Sequence, residues 1–227
     1  MIQTSGICVL IPAFNEEKNI GRVVSEVLSL GFKTIVIDDG STDSNARIVQ
    51  ALGADCVVSQ RNEGKGAAIQ RGFDRFLSQN FDAVILMDAD GQHRAQDLHK
   101  FVAALGEPRG ELLIGDRMAC PSGMTWVRVL TNRFMSLLIS LAAGQSVPDS
   151  QCGYRALTRK AVSILRLRTQ RFEAESEMIL SAARAGFKIS SIPVESVYRD
   201  EVSHIHPVRD SLRFFKFFIG FLFSKRA

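Results

Sequence analysis

The chain changes its hydrophobic rhythm about halfway along. In the first half, short continuous apolar runs alternate with stretches whose apolar residues recur at helical spacing. Residues 7–11 (ICVLI) are the first run, the pattern of a parallel strand buried on both faces. Residues 18–30 then set Ile20, Val23, Val24, Val27 and Leu28 on one helical face, and Gly31 supplies a stop. The alternation continues with a strand at 34–38, a helix capped by Ser41 or Thr42 and running to about Leu52, and a strand at 56–59. A helix at 64–77, a strand at 83–88 (AVILMD), a helix at 97–105 and a strand at 112–115 follow. Strands alternating with helices predict βαβ units and an α/β fold, with a mostly parallel central sheet flanked by helices.

The second half reads differently. Residues 126–143 predict a helix that is apolar nearly all round, its polar side a narrow stripe of Asn132, Arg133, Ser136 and Ser140. Residues 149–158 are irregular or strand-like around Gly153, Tyr154 and Arg155. A helix at 173–185 is stopped by Gly186, residues 188–198 are extended, and a closing helix at 209–223 carries six phenylalanines between Phe214 and Phe223. No internal repeat or low-complexity linker interrupts the 227 residues, which therefore read as one domain.

The chemistry gathers where strands end. In open α/β sheets, ligands bind beyond the carboxyl ends of the strands. Strand one leads into Pro12, Ala13, Phe14, Asn15 and Glu16, strand two into Asp38 and Asp39, and strand four into Asp88, Ala89, Asp90, Gly91 and Gln92. Carboxylates converging there repel one another unless a cation or donor groups sit among them. Asp88 and Asp90, one spacer apart, are able to turn toward one hard cation, and Gln92 adds a carbonyl oxygen. Such ligands suit Mg²⁺ or Mn²⁺, with phosphate oxygens in the remaining positions. The same spacing also describes a solvated acidic turn; its place after AVILMD favours the metal. Asp39 is placed for a ribose or base edge, and the turn of Asn62, Gly64 and Lys65 for a phosphate, though a plain surface loop explains that turn equally well.

Other classes lose ground. The glycine fingerprints of dinucleotide-binding and P-loop proteins are absent, and a nucleotidyltransferase would need a Gly-rich, lysine-bearing loop after the first strand. His93, His99, His204 and His206 lack zinc-site spacing. Cys8, Cys56, Cys120 and Cys152 include no C-x-x-C pair and read as small core residues in a reducing compartment. The first six residues are too short and polar for a signal peptide, and no apolar stretch reaches the ~20 residues of a membrane-spanning helix, which points to a cytoplasmic protein. The net charge of +4 and pI near 9.0 suit an anionic partner without choosing among a membrane, a phosphorylated substrate and nucleic acid.

PAFNEE, IDDGSTD, RNEGKGAAIQRGF and MDADGQH, in this order and spacing, resemble glycosyltransferase family 2, most closely its dolichyl-phosphate mannose synthase branch with the GT-A fold. The resemblance continues through GDR (residues 115–117), NRF (132–134), DSQCGYRALTR (149–159) and FEAESEM (172–178). It implies that Pro12, Ala13, Glu16 and Asp39 hold the nucleotide, with Lys65, Asp88 and Ala89 completing the nucleotide-sugar side. It implies that Asp88, Asp90 and Gln92 hold the metal and that Arg117 reaches phosphate near the acceptor. By motif position Arg133 and Arg155 join Arg117 as acceptor-phosphate residues, and Asp90 and Arg117 are the catalytic candidates. It divides the domain into a nucleotide-sugar and metal half, 1–118, and an acceptor and membrane-interface half, 119–227. Phe14 stands where the family often has tyrosine, and the loop expected after the last strand is replaced by residues 199–206.

The implied reaction is inverting transfer of a hexose from GDP-mannose or UDP-glucose to a polyprenyl phosphate, at the inner face of the cell membrane and without a nucleic-acid partner. An already ionised phosphate acceptor needs cationic positioning, whereas a sugar hydroxyl needs a base. Glu175 and Glu177 are offered as a base, as orienters of the arginines, or as plain helix-surface charges. A family member acting on a sugar hydroxyl of a polysaccharide or glycolipid is the alternative, and a non-catalytic nucleotide-sugar or membrane-binding module is a third. The 209–223 helix, with Arg209, Arg213 and Lys216 opposite Leu212, Phe215, Phe218, Ile219 and Leu222, fits one lying in a bilayer interface, and residues 126–143 are a second such candidate. A buried core helix is the other explanation of the 209–223 pattern.

Overall fold

The computed structural model describes residues 4–107, 109–121, 123–171, 173–197 and 207–223. Four strands from the first half, β1 (Ile7–Ala13), β2 (Lys33–Asp38), β3 (Asp55–Val58) and β4 (Ala83–Leu86), lie parallel in the order β3-β2-β1-β4. Ile7 to Ile11 are completely buried, as a strand covered by helices on both faces must be. The helices between them are α1 (Ile20–Ser29), α2 (Asn45–Ala51) and α3 (Lys65–Leu77), followed after β4 by a 3-10 turn at Ala95–Asp97 and by α4 (Leu98–Leu105). From β1 the chain moves one way to β2, while β4 adds on the other side. This switch point lies between the carboxyl ends of β1 and β4, the place where open α/β sheets bind their ligands.

The second half adds β5 (Leu112–Asp116), α5 (Trp126–Ala143), β6 (Arg155–Thr158), α6 (Arg159–Ile164), α7 (Glu173–Arg184), β7 (Ile189–Pro193) and α8 (Pro207–Phe223). The sheet grows to seven strands, β3-β2-β1-β4-β6-β5-β7, and β6 alone runs antiparallel to its neighbours. Its start therefore lies at the edge where β4 and β5 finish, with Leu86 and Ile114 both in register with Arg155.

Several expectations shift. α2 is preceded by Ser44, so Ser41 and Thr42 are not its cap. β4 ends at Leu86, which leaves Asp88 in the loop beyond it. α6 had no anticipated counterpart. Cys120 is exposed and Cys56 half-buried, so only Cys8 and Cys152 are core residues; all four are free thiols. Residues 199–206, with His204 and His206, lie outside the described residues.

α3 approaches β1 closely at Gly72, where a Cβ would come within 2.3 Å of the Leu10 side chain. Leu10 is fully buried and has little room to yield. Gly72→Ala should therefore destabilise the protein by about 1–3 kcal/mol in urea unfolding, despite the better helix propensity of alanine. An unchanged or raised midpoint would show that this contact relaxes.

Candidate active site

The first two loops beyond the sheet are laced together. Asn15 adopts a left-handed conformation (φ 57°), and its side-chain oxygen accepts from Thr42 N at 2.9 Å while its own N–H donates to Ser41 Oγ at 2.9 Å. Glu17 N donates to Asp43 Oδ2, and Ser44 N to Glu17 Oε2. Ser41 and Thr42 thus fasten the Pro12–Glu16 loop. Pro12 is half-buried and Ala13 buried, and the Glu16 carboxylate accepts from Asn19 Nδ2 at 3.3 Å. Asp38 is wholly buried and accepts from Ser41 N and Asn45 Nδ2. Asp39, 2% exposed, accepts from Glu63 N and from Gly64 N at 2.6 Å, with Arg71 alongside. Burial raises the Asp39 carboxyl above its ordinary range against the pull of those amides and Arg71. Its visible work is to draw the 61–64 turn to the end of β2.

That turn delivers Lys65 into the site. Gly66 lies so close to the 169–170 backbone that a Cβ would meet Thr169 O at 2.1 Å, and Gly66 N donates to Gln170 O. The Glu177 carboxylate, buried, accepts from the amides of Arg168 and Thr169 and from Thr169 Oγ1, and so holds this landing strip. Lys65, first residue of α3, places Nζ 2.6 Å from both Asp88 Oδ1 and Glu175 Oε1. The other Asp88 oxygen faces His93 Nε2 at 3.4 Å. Burial would raise the Asp88 carboxyl, but Lys65 and His93 outweigh it and hold the group well below the carboxylate range. Asp90 is raised instead, first by burial and then by the charge of Asp88. Its Oδ1 accepts from Gln92 N at 2.9 Å. The backbone of Gly153, arriving from the start of β6, presses on Asp88: a Cβ there would sit 2.3 Å from Oδ2.

Beside this group the end of β5 meets the approach to β6. Asp149, 1% exposed, accepts from Arg117 Nε at 2.7 Å, Arg117 Nη2 at 2.9 Å, Arg117 N at 3.1 Å and Asn132 Nδ2 at 2.8 Å. Burial alone would raise its pKa, but the Arg117 guanidinium and these donors lower it. Arg155, assigned to acceptor phosphate from its motif, has a different place. It is completely buried, with its guanidinium donating to the carbonyls of Ser150, Cys152 and Glu175. It ties the 150–152 loop to α7 and does not face solvent. Arg133 is exposed on α5, away from the buried polar stripe to which its spacing assigned it. The structure therefore brings Lys65, Asp88 and Asp90 to one point, with the Gln92 amide on Asp90 and Arg117 at the same edge; Arg133 is exposed on α5, and Arg155 is buried behind Glu175.

Among the described residues no group of three or more His, Cys, Asp and Glu side chains is arranged to hold a metal ion. The donors present are two close carboxylates, with Gln92 tied to Asp90 through its backbone amide. That set of hard oxygens suits Mg²⁺ or Mn²⁺ completed by phosphate and water, and a cation there would offset the burial and the Asp88 charge that together raise Asp90. Residues 8–165 match the family model described as Glycosyl transferase family 2. The chain belongs to glycosyl transferase family 2. It is similar to glycosyltransferase AglJ of Haloferax volcanii, 32% identical over 90% of this chain and 68% of that protein. It is also similar to the UDP-N-acetylglucosamine–dolichyl-phosphate N-acetylglucosaminyltransferase of Methanococcus voltae, 29% identical over 86% of each chain. A solved structure of glucosyl-3-phosphoglycerate synthase from Mycobacterium tuberculosis, in complex with Mn²⁺, UDP and phosphoglyceric acid, superposes with a TM-score of 0.76 at 21% identity, covering 98% of this chain and 80% of that one. That likeness establishes the GT-A fold.

In this glycosyltransferase α5 is turned the opposite way from a surface helix. Asn132 and Ser136 point inward, where Ser136 Oγ donates to Asn132 Oδ1 and accepts from Ser150 N, and Ser140 Oγ accepts from Val147 N. Outside, Trp126 (77%), Val127, Leu130, Phe134, Leu137 and Leu141 (72%) are exposed along one side. α8 also differs from its expected single apolar face: Phe214 and Phe218 are buried, while Phe215, Ile219 and Phe223 are exposed. The side chains of Arg209, Leu212 and Leu222 lie outside the described residues. Among the described residues no helix is long and apolar enough to cross a membrane. His93 and Gly153 belong to the site although no role was read for them; a glycine inside a strand-like run signals close backbone approach and marks Gly153.

Asp149→Ala strands a buried arginine and should cost about 3–5 kcal/mol of unfolding free energy. Because the folded-state pKa of Asp149 is lowered, its contribution is present above the ordinary carboxylate range and fades as pH falls toward the lowered value. The stability gap between the unsubstituted protein and Asp149→Asn should then close below about pH 4. A gap independent of pH would refute the ionised pair.

Proposed function

We propose that the protein transfers a hexose, with inversion, from GDP-mannose or UDP-glucose to a polyprenyl phosphate at the inner face of the cell membrane, using Mg²⁺ or Mn²⁺. The observation that carries this reading is the orientation of α5. Its inner side braces Asp149 and Arg117, and its outer side offers an apolar strip to whatever lies beyond. A lipid acceptor places its phosphate and its hydrocarbon on either side of such a helix. The name of the M. voltae relative, whose acceptor is dolichyl phosphate, supports the same class.

Pro12, Ala13, Glu16, Asp39 and Ala89 line the nucleotide side, and Lys65 brings an ammonium to the diphosphate. Asp88, Asp90 and Gln92 would hold the divalent ion, which supplies stabilisation of the charge gathering on the leaving diphosphate. Arg117, its plane fixed by Asp149, orients the acceptor phosphate. Glu175 and Glu177, the carboxylates available as a base, are occupied by Lys65 and by the 168–169 amides. A phosphate acceptor, ionised at neutral pH with a second pKa of about 6, needs no base, which favours it over a sugar hydroxyl. The two halves, 1–118 and 119–227, act in this reading as one domain, the first holding the donor and the second the acceptor.

Radiolabelled nucleotide sugars incubated with Mn²⁺ and polyprenyl phosphate test the reaction. Label should enter the organic phase from one donor as a β-linked product, and Asp90→Ala should lower the rate about 10²–10³-fold. Transfer only to soluble glycans would favour the hydroxyl-acceptor alternative. For the membrane, the protein should sediment with anionic liposomes, and Leu130→Gln with Phe134→Gln should release most of it. Equal partition of the unsubstituted protein with and without liposomes would sink the interfacial reading.

A further inference from the structure

The most unusual contact in the site is the one that occupies a metal ligand with a lysine. Lys65 Nζ is equidistant, at 2.6 Å, from Asp88 and Glu175. Lys65 cannot drift far, because its backbone is fixed between Gly64 and Gly66 on the 169–170 strand of chain, itself held by Glu177. Four unbranched carbons nevertheless let the ammonium swing between partners. Asp88 has less freedom: its Oδ2 lies against the Gly153 backbone and faces His93 Nε2. Glu175 is 7% exposed and sits in the first turn of α7, whose main chain is anchored where Arg155 donates to Glu175 O at 2.5 Å. The local group thus holds three carboxylates, Asp88, Asp90 and Glu175, against the Lys65 ammonium and the buried Arg155 guanidinium, which leaves it net negative.

We infer that Lys65 is a resident counter-ion that competes with the divalent cation for Asp88, and that Glu175 is a positioning residue which receives the ammonium when the metal arrives. The inference rests on the metal reading above and adds to it. A divalent ion at Asp88 and Asp90 more than cancels that negative charge, and its approach repels the lysine. Without Glu175 the ammonium would have no second carboxylate in bonding distance outside the Asp88–Asp90 pair and would remain on Asp88. With Glu175 it moves aside while staying at the site, where an incoming nucleoside diphosphate finds it. Glu175 therefore touches neither metal nor substrate and acts through Lys65.

Mn²⁺ affinity, read by electron paramagnetic resonance of free Mn²⁺ in the absence of nucleotide, tests this in the full-length chain. Lys65→Met keeps most of the aliphatic stem and should tighten Mn²⁺ binding about tenfold, the scale of one close, partly buried charge contact. Glu175→Gln should weaken it by a similar factor, and in the Lys65→Met background the same substitution should have less than half that effect. Equal Glu175→Gln effects in both backgrounds would mean that Glu175 acts through its field alone and would overturn the inference. So would unchanged affinity in Lys65→Met, while leaving the metal reading intact. No Mn²⁺ binding to the unsubstituted protein would overturn both. A crystal structure with Mn²⁺ and UDP should show Lys65 Nζ on Glu175 and away from Asp88; an intact 2.6 Å contact to Asp88 beside the ion would refute the displacement.

Discussion

The reversal of β6 governs the carboxyl edge. Had this strand run parallel to β4 and β5, residues 149–154 would open onto the opposite end of the sheet. Because it runs antiparallel, its approach passes directly over the ends of both neighbours. Gly153 then reaches Asp88, and Asp149 reaches Arg117. The carboxylate of one loop and the guanidinium of another are buried together, so their attraction and shared hydrogen bonds offset the desolvation cost that either would carry alone. Arg155 completes the constraint from below, its guanidinium spent on the carbonyls of Ser150, Cys152 and Glu175 inside the protein.

The same anchoring explains how α5 comes to face outward with its apolar side. A helix normally buries its apolar arc and leaves its polar residues to water. Here the sheet edge presents polar groups, Asp149 and the Ser150 amide, and polar side chains on the helix above help to satisfy them. Asn132 and Ser136 meet that demand, so the opposite face, Leu130 to Leu141, turns away from the sheet. An exposed apolar strip of this kind is costly in water and marks a contact surface. The packing of the site and the character of the surface are two consequences of one hydrogen-bond requirement.

Much of the first half was legible because each strand there is a continuous apolar run and each helix has one apolar face, as Ile7–Ala13 and Ile20–Ser29 illustrate. The meeting of Asp88, Asp90 and Lys65 was also foreshadowed, since loops after parallel strands gather at one edge whatever their side chains do. Strand direction was not legible in RALT, because alternation carries no sign of whether a partner runs with or against it. The inward turn of Asn132 and Ser136 on α5 was not legible for a related reason: a narrow polar stripe does not show that a buried carboxylate waits opposite it. The destination of Arg155 was hidden too, since an arginine in a motif looks the same whether it serves a phosphate or a set of backbone carbonyls. Asp39 showed its position but not its engagement with the Glu63 and Gly64 amides.

The electrostatics of the edge follow from how each carboxylate is answered. The chain carries a net charge of +4, yet this edge concentrates acids. Asp38 and Asp39 are met by backbone amides and short side-chain donors, which are fixed in place and do not compete for an incoming ligand. Asp149 is met by a guanidinium in bidentate geometry, which makes a rigid support. Asp88 and Glu175 share one flexible ammonium, and Asp90 accepts a backbone amide while burial and the charge of Asp88 hold it above its ordinary range. An anionic nucleotide sugar approaching the fixed pairs meets charges already cancelled. At Asp88 and Asp90 it meets a negative potential until a cation fills it. Rigid compensation surrounds the site and adjustable compensation lies at its centre, the arrangement expected where charge must be rebalanced each time a donor enters and a diphosphate leaves.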